Sequence, residues 1–404
     1  MLRFATLITL CLVVALAATV PSAGQGWIYD FVAAGISTGT TNDGQVVVYH
    51  NGPAGSVAGY IWSYNYGAQN LGIVTKTAGV AYKAGQVMVA GQLPSVNASY
   101  WLGSVCGVGT WTTCTGAANT LTPYGIGVQA DGSQAWIAGS VPGTNTSAAR
   151  WKWNATTNSI STLQLPSYPG GWHDTSLLYG IADNGVYVGV GRYPGTAPSG
   201  GARHAMAGPS LKGLDDTNGS APSSSWESFA VGISRNSDYA IGYGWSPLWG
   251  VGTYYQAAFW REGAGWADGA DRNMIPYWNN YQWAVGKVAS DNGIFAGYTS
   301  KTSGAADRAT RTCWYYDSNT GALLDIEPML TKGGYNPADW VLMDVTGISN
   351  DGRVLCGNML AATDPYFTGG AVSQYYTWRA TVPEPSSFAV LALGLLGLIR
   401  RRRS

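Results

Sequence analysis

Few residues in this chain have the types and spacing that catalysis or metal binding requires. Its three histidines, His50, His173 and His204, stand far apart and at no metal-ligand spacing. The sequence contains no nucleophile elbow, phosphate loop or zinc pattern. Its Asp-Asn-Gly and Asn-Asp-Gly triplets lack the spacing of an EF-hand calcium loop, and turn formation explains them. We therefore predict no metal, no cofactor and no catalytic residue.

Carboxylates are the one remaining route to catalysis. The nearest approach to acidic clusters is made by Asp215, Asp216, Asp325 and Glu327. Paired carboxylates that converge in a central channel could hydrolyse glycosidic bonds. Surface loops are the favoured interpretation of these four residues, so a polysaccharide-processing enzyme ranks third among the function classes.

Cysteines offer a second kind of chemistry. Cys106 and Cys114 straddle a predicted turn in CGVGTWTTC, and export would make a disulfide between them plausible. Cys313 and Cys356 fall in different repeats, and either a pair or two buried thiols would fit them. Connectivity does not follow from sequence alone.

Aromatic side chains crowd the long segments between the predicted strands. With a few polar neighbours, such rings suit neutral ligands that stack, such as sugars. The candidates for a ligand-binding rim are Tyr168, Trp172, Trp245, Trp249, Tyr277, Trp278 and Tyr335. Packing between repeats is the competing interpretation, and we favour it for any single Trp because aromatic residues dominate protein cores.

A short sequence repeat predicts the strands and turns that position all these residues. One short pattern recurs seven times, with substitutions. It consists of Gly-Ile, a few residues, Asn or Asp, Gly and then a β-branched run. The turn positions, 41 to 59 residues apart, are Gly44, Gly85, Gly132, Gly185, Ser237, Gly293 and Gly352. Asn-Gly and Asp-Gly supply the positive φ angles of a tight hairpin turn, and the flanking runs are typical of strands. Each copy predicts a strand A, a turn and a strand B.

A second hairpin, strands C and D, follows in most copies. Strand C is marked by Trp62, Trp101, Trp151, Trp260 and Trp314, whereas the fourth copy lacks this Trp. Four antiparallel strands at this period predict an all-β, seven-bladed β-propeller. Its A–B and C–D turns would share one rim, and its longer, variable B–C and D–A loops the other, where binding residues are expected.

The seventh copy lacks a strand D, because its strand C runs directly into Pro383. The segment GWIYDF precedes the first copy and belongs to no repeat. We predict that residues 26–30 supply the missing strand, which would close the ring and remove an exposed sheet edge. A frayed lead-in is the alternative.

The repeat sequence resembles that of HAF-type extracellular repeat proteins over most of residues 25–381. Ala84 before the second turn glycine, and Ser237 in place of the fifth, depart from that pattern. The resemblance implies a secreted β-repeat protein and assigns no catalytic residue.

Both ends of the chain carry export features. Arg3, an apolar run over residues 7–20 and small residues after it predict a signal peptide over residues 1–24. At the other end, a Pro-Glu-Pro triplet, an apolar run over residues 388–399 and an arginine cluster form residues 382–404. These positions, Pro383, Glu384, Pro385, Arg400, Arg401, Arg402 and Arg403, resemble a PEP-CTERM sorting signal.

That resemblance implies processing by an exosortase, transient membrane insertion through a short C-terminal helix, and a place at the surface of a Gram-negative-type bacterium. Without both signals the repeat domain, residues 25–381, is acidic by four charges, which argues against a nucleic-acid partner. We predict a non-catalytic structural or binding propeller. A carbohydrate-binding module for exopolysaccharide is the alternative.

Overall fold

The computed structural model of the protein describes most of the repeat domain. The described residues are 26–52, 57–83, 86–94, 98–114, 122–141, 147–161, 164, 173–193, 202–209, 212–214, 227–245, 255–263, 266, 272–276, 283–301 and 310–383. The predicted signal peptide, and Glu384, Pro385 and the arginines of the sorting signal, lie outside them.

Seven separate four-stranded antiparallel sheets confirm the predicted seven-bladed propeller. Blade 1 contains β2 (Ile36–Thr40), β3 (Val46–Asn51), β4 (Ala58–Ser63) and β5 (Gly67–Ile73). Blade 2 contains β6 (Lys76–Lys83), β7 (Gln86–Gln92), β8 (Ala98–Gly103) and β9 (Gly109–Thr113). Blade 3 contains β10 (Thr122–Val128), β11 (Gln134–Val141), β12 (Ser147–Asn154) and β13 (Ser159–Ile160).

The remaining blades repeat this arrangement. Blade 4 contains β14 (His173–Ile181), β15 (Tyr187–Tyr193), β16 (Ala202–Gly208) and β17 (Lys212–Gly213). Blade 5 contains β18 (Glu227–Ile233), β19 (Tyr239–Trp245), β20 (Gln256–Arg261) and β21 (Arg272–Met274). Blade 6 contains β22 (Trp283–Ala289), β23 (Ile294–Ser300), β24 (Thr312–Asp317) and β25 (Ala322–Asp325), followed by helix α1 (Ile326–Thr331). Blade 7 contains β26 (Trp340–Ile348), β27 (Val354–Ala361), β28 (Tyr376–Thr381) and β1 (Ile28–Ala34).

The A–B turns form where the sequence predicted them. Six of the seven turn positions have a positive φ angle, between 68° and 85°: Gly44, Gly132, Gly185, Ser237, Gly293 and Gly352. The seventh, Gly85, lies outside the described residues. Ser237 adopts this left-handed conformation although it has a Cβ, and its hydroxyl accepts a hydrogen bond from Asn184 of the adjacent blade at 2.9 Å. Glycine elsewhere avoids the steric cost of this conformation.

The core lies between neighbouring blades. The strand C tryptophans lie on β4, β8, β12, β20 and β24, and Trp378 on β28 joins them. Trp151 of blade 3, for example, packs in one cluster with Met88 and Tyr100 of blade 2. Trp101, Trp151 and Trp314 are each no more than 1% exposed. Burying side chains of this size between sheets supplies much of the stabilisation of the ring.

Strand β1 closes the ring by pairing with β28, from Ile28 opposite Thr381 to Ala34 opposite Tyr376. The N-terminal residues therefore supply the fourth strand of blade 7, as predicted, although the strand extends to residue 34. Asp30 anchors this strand, because its carboxylate accepts from Arg379 at 3.1 Å. Closure leaves no unpaired strand at the junction between the two ends of the propeller.

The structure contradicts the expected disulfide between Cys106 and Cys114. All four described cysteines are free, and Cys106 is exposed whereas Cys114 is buried. Cys106 lies in the turn between β8 and β9, and Cys114 lies at the far end of β9. A five-residue strand spans roughly 16 Å, whereas the Cα atoms of a disulfide lie about 4.4–6.8 Å apart. Cys106 and Cys114 therefore lie at opposite ends of the hairpin, one in its turn and one beside Ala98 at its open end. Cys313 and Cys356 are both buried thiols.

Candidate functional site

The two ends of the central channel are built differently. We call the end that carries the A–B turns the turn end. The opposite end, which receives the B–C and D–A connections, is the loop end. The innermost strands β2, β6, β10, β14, β18, β22 and β26 line the channel between the two ends.

Every innermost strand contains a β-bulge at an equivalent position. In each blade, the register against strand B skips one residue. The skipped residues, which we call the bulge ring, are Thr38, Ala78, Tyr124, Tyr179, Val231, Lys287 and Thr346. All seven line the channel. A bulge leaves a residue unpaired and redirects its side chain, so seven equivalent bulges present seven side chains to one axis.

The residue after the bulge explains why the strands converge there. It is glycine in six blades and Val288 in blade 6. A Cβ added at Gly232 would lie 2.3 Å from the carbonyl oxygen of Lys287, and one at Gly347 would lie 2.6 Å from the Thr40 nitrogen. At these two positions glycine permits close approach of neighbouring strands, whereas a Cβ at Gly39, Gly79 or Gly125 would lie 3.4 Å or more from its nearest neighbour.

Above the bulge ring the channel widens into a cavity of about 510 Å³ at the loop end, which we call the funnel. Its wall combines the bulge ring with Ser37, His50, Lys76, Thr77, Pro123, Tyr243, Val285, Val288, Tyr298 and Val345. Blades 3 to 6 contribute the four tyrosines, whereas blades 1, 2 and 7 contribute the Ser and Thr hydroxyls. The volume is typical of a small-molecule ligand pocket.

Arg235 closes the channel at the turn end. From the A–B turn of blade 5 its guanidinium donates to the carbonyl oxygens of Ile126 and Val80 in two other blades. It also lies 3.6 Å from the carboxylate of Asp183, which accepts from Asn42 at 2.7 Å. One side chain thus ties four blades together. In the part of the chain that the structure describes, Arg235 crosses the channel at the turn end, and the channel is widest in the funnel, toward the loop end.

The funnel tyrosines are hydrogen-bond donors. Burial raises the pKa of Tyr179, Tyr243 and Tyr298 above the ordinary value, and neighbouring phenols raise that of Tyr243 further. Their hydroxyls therefore stay protonated at neutral pH. Tyr124 and Tyr179 touch edge to face, with ring centroids 5.7 Å apart. The rings and hydroxyls together present both an apolar surface and donors to a ligand.

A histidine of blade 1 and a lysine of blade 2 continue the wall beside Tyr124. The ammonium group of Lys76 lies 4.8 Å from the centroid of the Tyr124 ring, and burial lowers its pKa. Burial, with the charge of Lys76, lowers the pKa of His50 to about 4, so this ring is neutral at neutral pH. Its Nδ1 lies 3.0 Å from the hydroxyl oxygen of Thr77. That hydroxyl lies 2.9 Å from the Thr38 hydroxyl, which continues the polar wall into blade 1.

The residues expected from sequence on the binding rim have separate locations. Trp245 ends β19 at the loop end and is partly exposed. Tyr335 is 2% exposed, packs in the core of blades 6 and 7, and donates to the carbonyl oxygen of Trp340 at 2.6 Å. A side chain so enclosed offers no face to a ligand. Tyr168, Trp172, Trp249, Tyr277 and Trp278 lie outside the described residues.

The acidic clusters do not enter the funnel as far as the structure describes them. Asp325 caps helix α1 by accepting from the backbone N–H of Glu327 at 3.0 Å. Asp215 and Asp216 lie outside the described residues. Within the described ranges, no group of three or more His, Cys, Asp or Glu side chains could hold a metal ion.

Sequence reasoning missed the bulge ring. Its members follow one rule, since each directly precedes the glycine, or Val288, of a strand A. That position varies from Ala to Tyr to Lys between copies, whereas the turn and the apolar positions repeat. Variation at a fixed place inside an otherwise regular repeat was the signal available in the sequence.

Comparison with known proteins supports the sorting signal. The family model of the PEP-CTERM protein-sorting motif matches residues 381–403. The chain therefore carries this signal, which marks a protein exported to the envelope or surface of a Gram-negative bacterium and processed by an exosortase. No helix in the described part of the chain is long and apolar enough to cross a membrane. The apolar run at 388–399 lies outside that part.

Solved structures share the fold. The β-propeller domain of the Trilobed protease from Pyrococcus furiosus is 10% identical, with a TM-score of 0.52 over 87% of this chain and 98% of that one. An acylaminoacyl peptidase from Pyrococcus horikoshii is 9% identical, with a TM-score of 0.51 over 85% of this chain and 51% of that one. The polysaccharide lyase Uly1 is 10% identical, with a TM-score of 0.49 over 89% of this chain and 99% of that one. At these identities the likeness to the first two structures, whose TM-scores exceed 0.5, concerns the fold alone. No curated protein matches the sequence.

Proposed function

We propose that this protein is an exported, non-catalytic binding propeller of the cell surface or extracellular matrix, and that its ligand occupies the funnel. The observation that carries the proposal is the contrast within the channel. Arg235 crosses it at the turn end, and it widens into about 510 Å³ toward the loop end. An aromatic-lined pocket with convergent polar groups is the usual form of a ligand site.

The lining supports a glycan as the ligand. Sugar rings stack on aromatic faces while their hydroxyls exchange hydrogen bonds, and Tyr124, Tyr179, Tyr243 and Tyr298 offer both. The described lining includes no carboxylate, so a two-carboxylate hydrolysis would need groups from elsewhere in the chain. Exopolysaccharide is the natural candidate for an exported protein at the cell surface.

The proposed route to the surface uses both ends of the chain. A signal peptide over residues 1–24 directs export, and the apolar run at 388–399 inserts transiently into the membrane. An exosortase then cuts near the Pro-Glu-Pro triplet that begins at Pro383. The propeller that remains carries the funnel.

The test is a titration of the exported protein, purified from its host, with the host's own exopolysaccharide, followed by intrinsic fluorescence. A saturable change is expected, and Tyr124→Ala, which removes a ring from the funnel wall, should abolish it. Tyr66→Ala is the control, because Tyr66 is 52% exposed and lies outside the funnel. No response in the native protein, or equal loss in both variants, would refute the funnel as the binding site. Release of sugar fragments would refute the non-catalytic role.

A further inference from the structure

Two lysines line the funnel, and its described wall contains no Asp, Glu or Arg. Lys76 begins β6 in blade 2, and Lys287 is the bulge-ring member of blade 6. Both are partly buried and both line the cavity. Among the residues that the structure describes, neither ammonium group pairs with a carboxylate. Two cations on separate blades therefore face one pocket.

These cations contrast with the chain as a whole. The repeat domain is acidic by four charges, yet Lys76 and Lys287 are the only Lys, Arg, Asp or Glu side chains of the described funnel lining. Burying a charge without a partner costs free energy, and a bound counter-charge would offset that cost. Burial accordingly lowers the pKa of Lys76, which a bound anion would raise again.

The neutral groups of the funnel wall also favour an anionic ligand. The buried phenols of Tyr179, Tyr243 and Tyr298 remain protonated donors because burial raises each pKa. Thr38, Thr77 and Thr346 also line the cavity, where Thr38 and Thr77 hydrogen-bond to each other and Thr346 donates to Ser37, so their oxygens offer acceptor capacity rather than free donors. A wall of donors and cations is complementary to a ligand rich in oxygen acceptors and negative charge.

From this geometry we infer that the funnel selects an anionic glycan, one whose sugars carry carboxylate or sulfate groups. Lys76 and Lys287 bind the acidic groups from two sides, and the tyrosines of blades 3 to 6 stack on the sugar rings. The inference rests on the proposed function of the funnel and names its ligand class. Because Arg235 crosses the channel at the turn end, the glycan enters from the loop end and presents a chain end or a branch rather than threading through.

The experiment compares three oligosaccharides of equal length in calorimetric titrations of the exported protein. Oligogalacturonate carries carboxylates, an oligogalactose is neutral, and its sulfated form carries sulfates. The native protein should bind at least one acidic oligomer and bind the neutral one at least roughly 10-fold more weakly. Preference for oligogalacturonate or for the sulfated oligomer identifies the acidic group, and either supports the inference.

Variants of Lys76 and Lys287 then test whether each lysine binds an acidic group of the glycan. Lys76→Gln and Lys287→Gln should each weaken acidic binding roughly 10-fold or more, as loss of a charge-assisted hydrogen bond does. Lys287→Arg should retain it, which keeps the test valid if a Gln variant folds poorly. Lys152→Gln is the matched control, since Lys152 is also partly buried over an aromatic ring, 4.9 Å from the Trp136 centroid, but lies outside the funnel.

The outcomes separate the two claims. Equal affinity for neutral and acidic oligomers, unchanged by both Gln variants but abolished by Tyr124→Ala, would overturn the anionic selectivity and leave the funnel as a glycan site. Equal weakening by Lys152→Gln would also overturn it. Binding of none of the oligomers, together with no response to the host exopolysaccharide, would refute the proposed function itself.

Discussion

The turn end and the loop end of this propeller are made from the same seven blades, yet among the described residues Arg235 bridges the channel at the turn end, whereas the channel is wide at the loop end. At the turn end, short A–B turns place their second residue over the axis, and Arg235, Asp183 and Asn42 bond across it. At the loop end, seven bulges turn side chains inward around a cavity. No comparable side chain crosses the funnel in the part of the chain that the structure describes.

The difference shows how one fold separates stability from recognition. The turn end uses nearly identical residues in every copy, because a tight turn with positive φ tolerates few alternatives. The bulge ring uses five residue types in seven copies, because a side chain that faces a cavity carries no packing requirement. Substitutions at the turn end should therefore cost stability, and those at the funnel should cost binding.

Arg235→Leu should give the largest loss of stability, about 3–5 kcal/mol, because it leaves buried carbonyl groups and Asp183 without their partner. Urea denaturation measures the change. The matched control is Arg353→Leu on the same end, whose ion pair with Asp351 spans 3.9 Å and is well exposed. It should lose no more than about 0.5 kcal/mol. Equal losses would show that the seal across the channel adds no stability.

Gly44→Ala should cost about 3 kcal/mol. Gly44 has a φ of 71°, and an added Cβ would lie 2.5 Å from the Cβ of Val354 in blade 7. Gly67→Ala isolates the backbone contribution, since its φ is 62° and nothing lies within 4 Å of the new Cβ. It should cost about 1 kcal/mol. A difference near zero between the two melting curves would contradict close blade packing at this turn.

His50 should make the loop-end wall sensitive to acid. Its pKa is lowered to about 4 by burial and by Lys76, below its value in the unfolded chain. The unfolded chain therefore binds the proton first, and stability falls as pH drops from about 6.5 to about 4, by about 2–3 kcal/mol, with no further loss below. His50→Gln should remove this part of the pH dependence. An unchanged pH profile of unfolding in the variant would show that His50 is not the responsible group.

Tyr179→Phe should have the smallest effect on stability, within about 0.5 kcal/mol, because Tyr179 lines the funnel and Phe keeps its ring. Binding of the proposed glycan should still weaken measurably in the same calorimetric titration. A large loss of stability with unchanged binding would reverse the assignment of roles to the two ends.

Much of the fold was predictable because it repeats. The turn residues recur with the local chemistry that a hairpin requires, and Trp101, Trp151 and Trp314 mark strand C at matching places. The unpaired seventh copy even predicted the closing role of β1. The disulfide between Cys106 and Cys114 was predicted wrongly, since a short loop in sequence concealed the length of the hairpin.

The sequence alone determined the unit and its number, because tight turns and alternating apolar residues depend on neighbours in the chain. It also determined the sorting signal at residues 381–403, which is read as a linear segment. Only the tertiary structure decided the binding site. Tyr124, Tyr179 and Lys287 come together because closing seven blades brings positions far apart in sequence around one axis. The seal by Arg235 likewise depends on distances across the ring that no local pattern encodes.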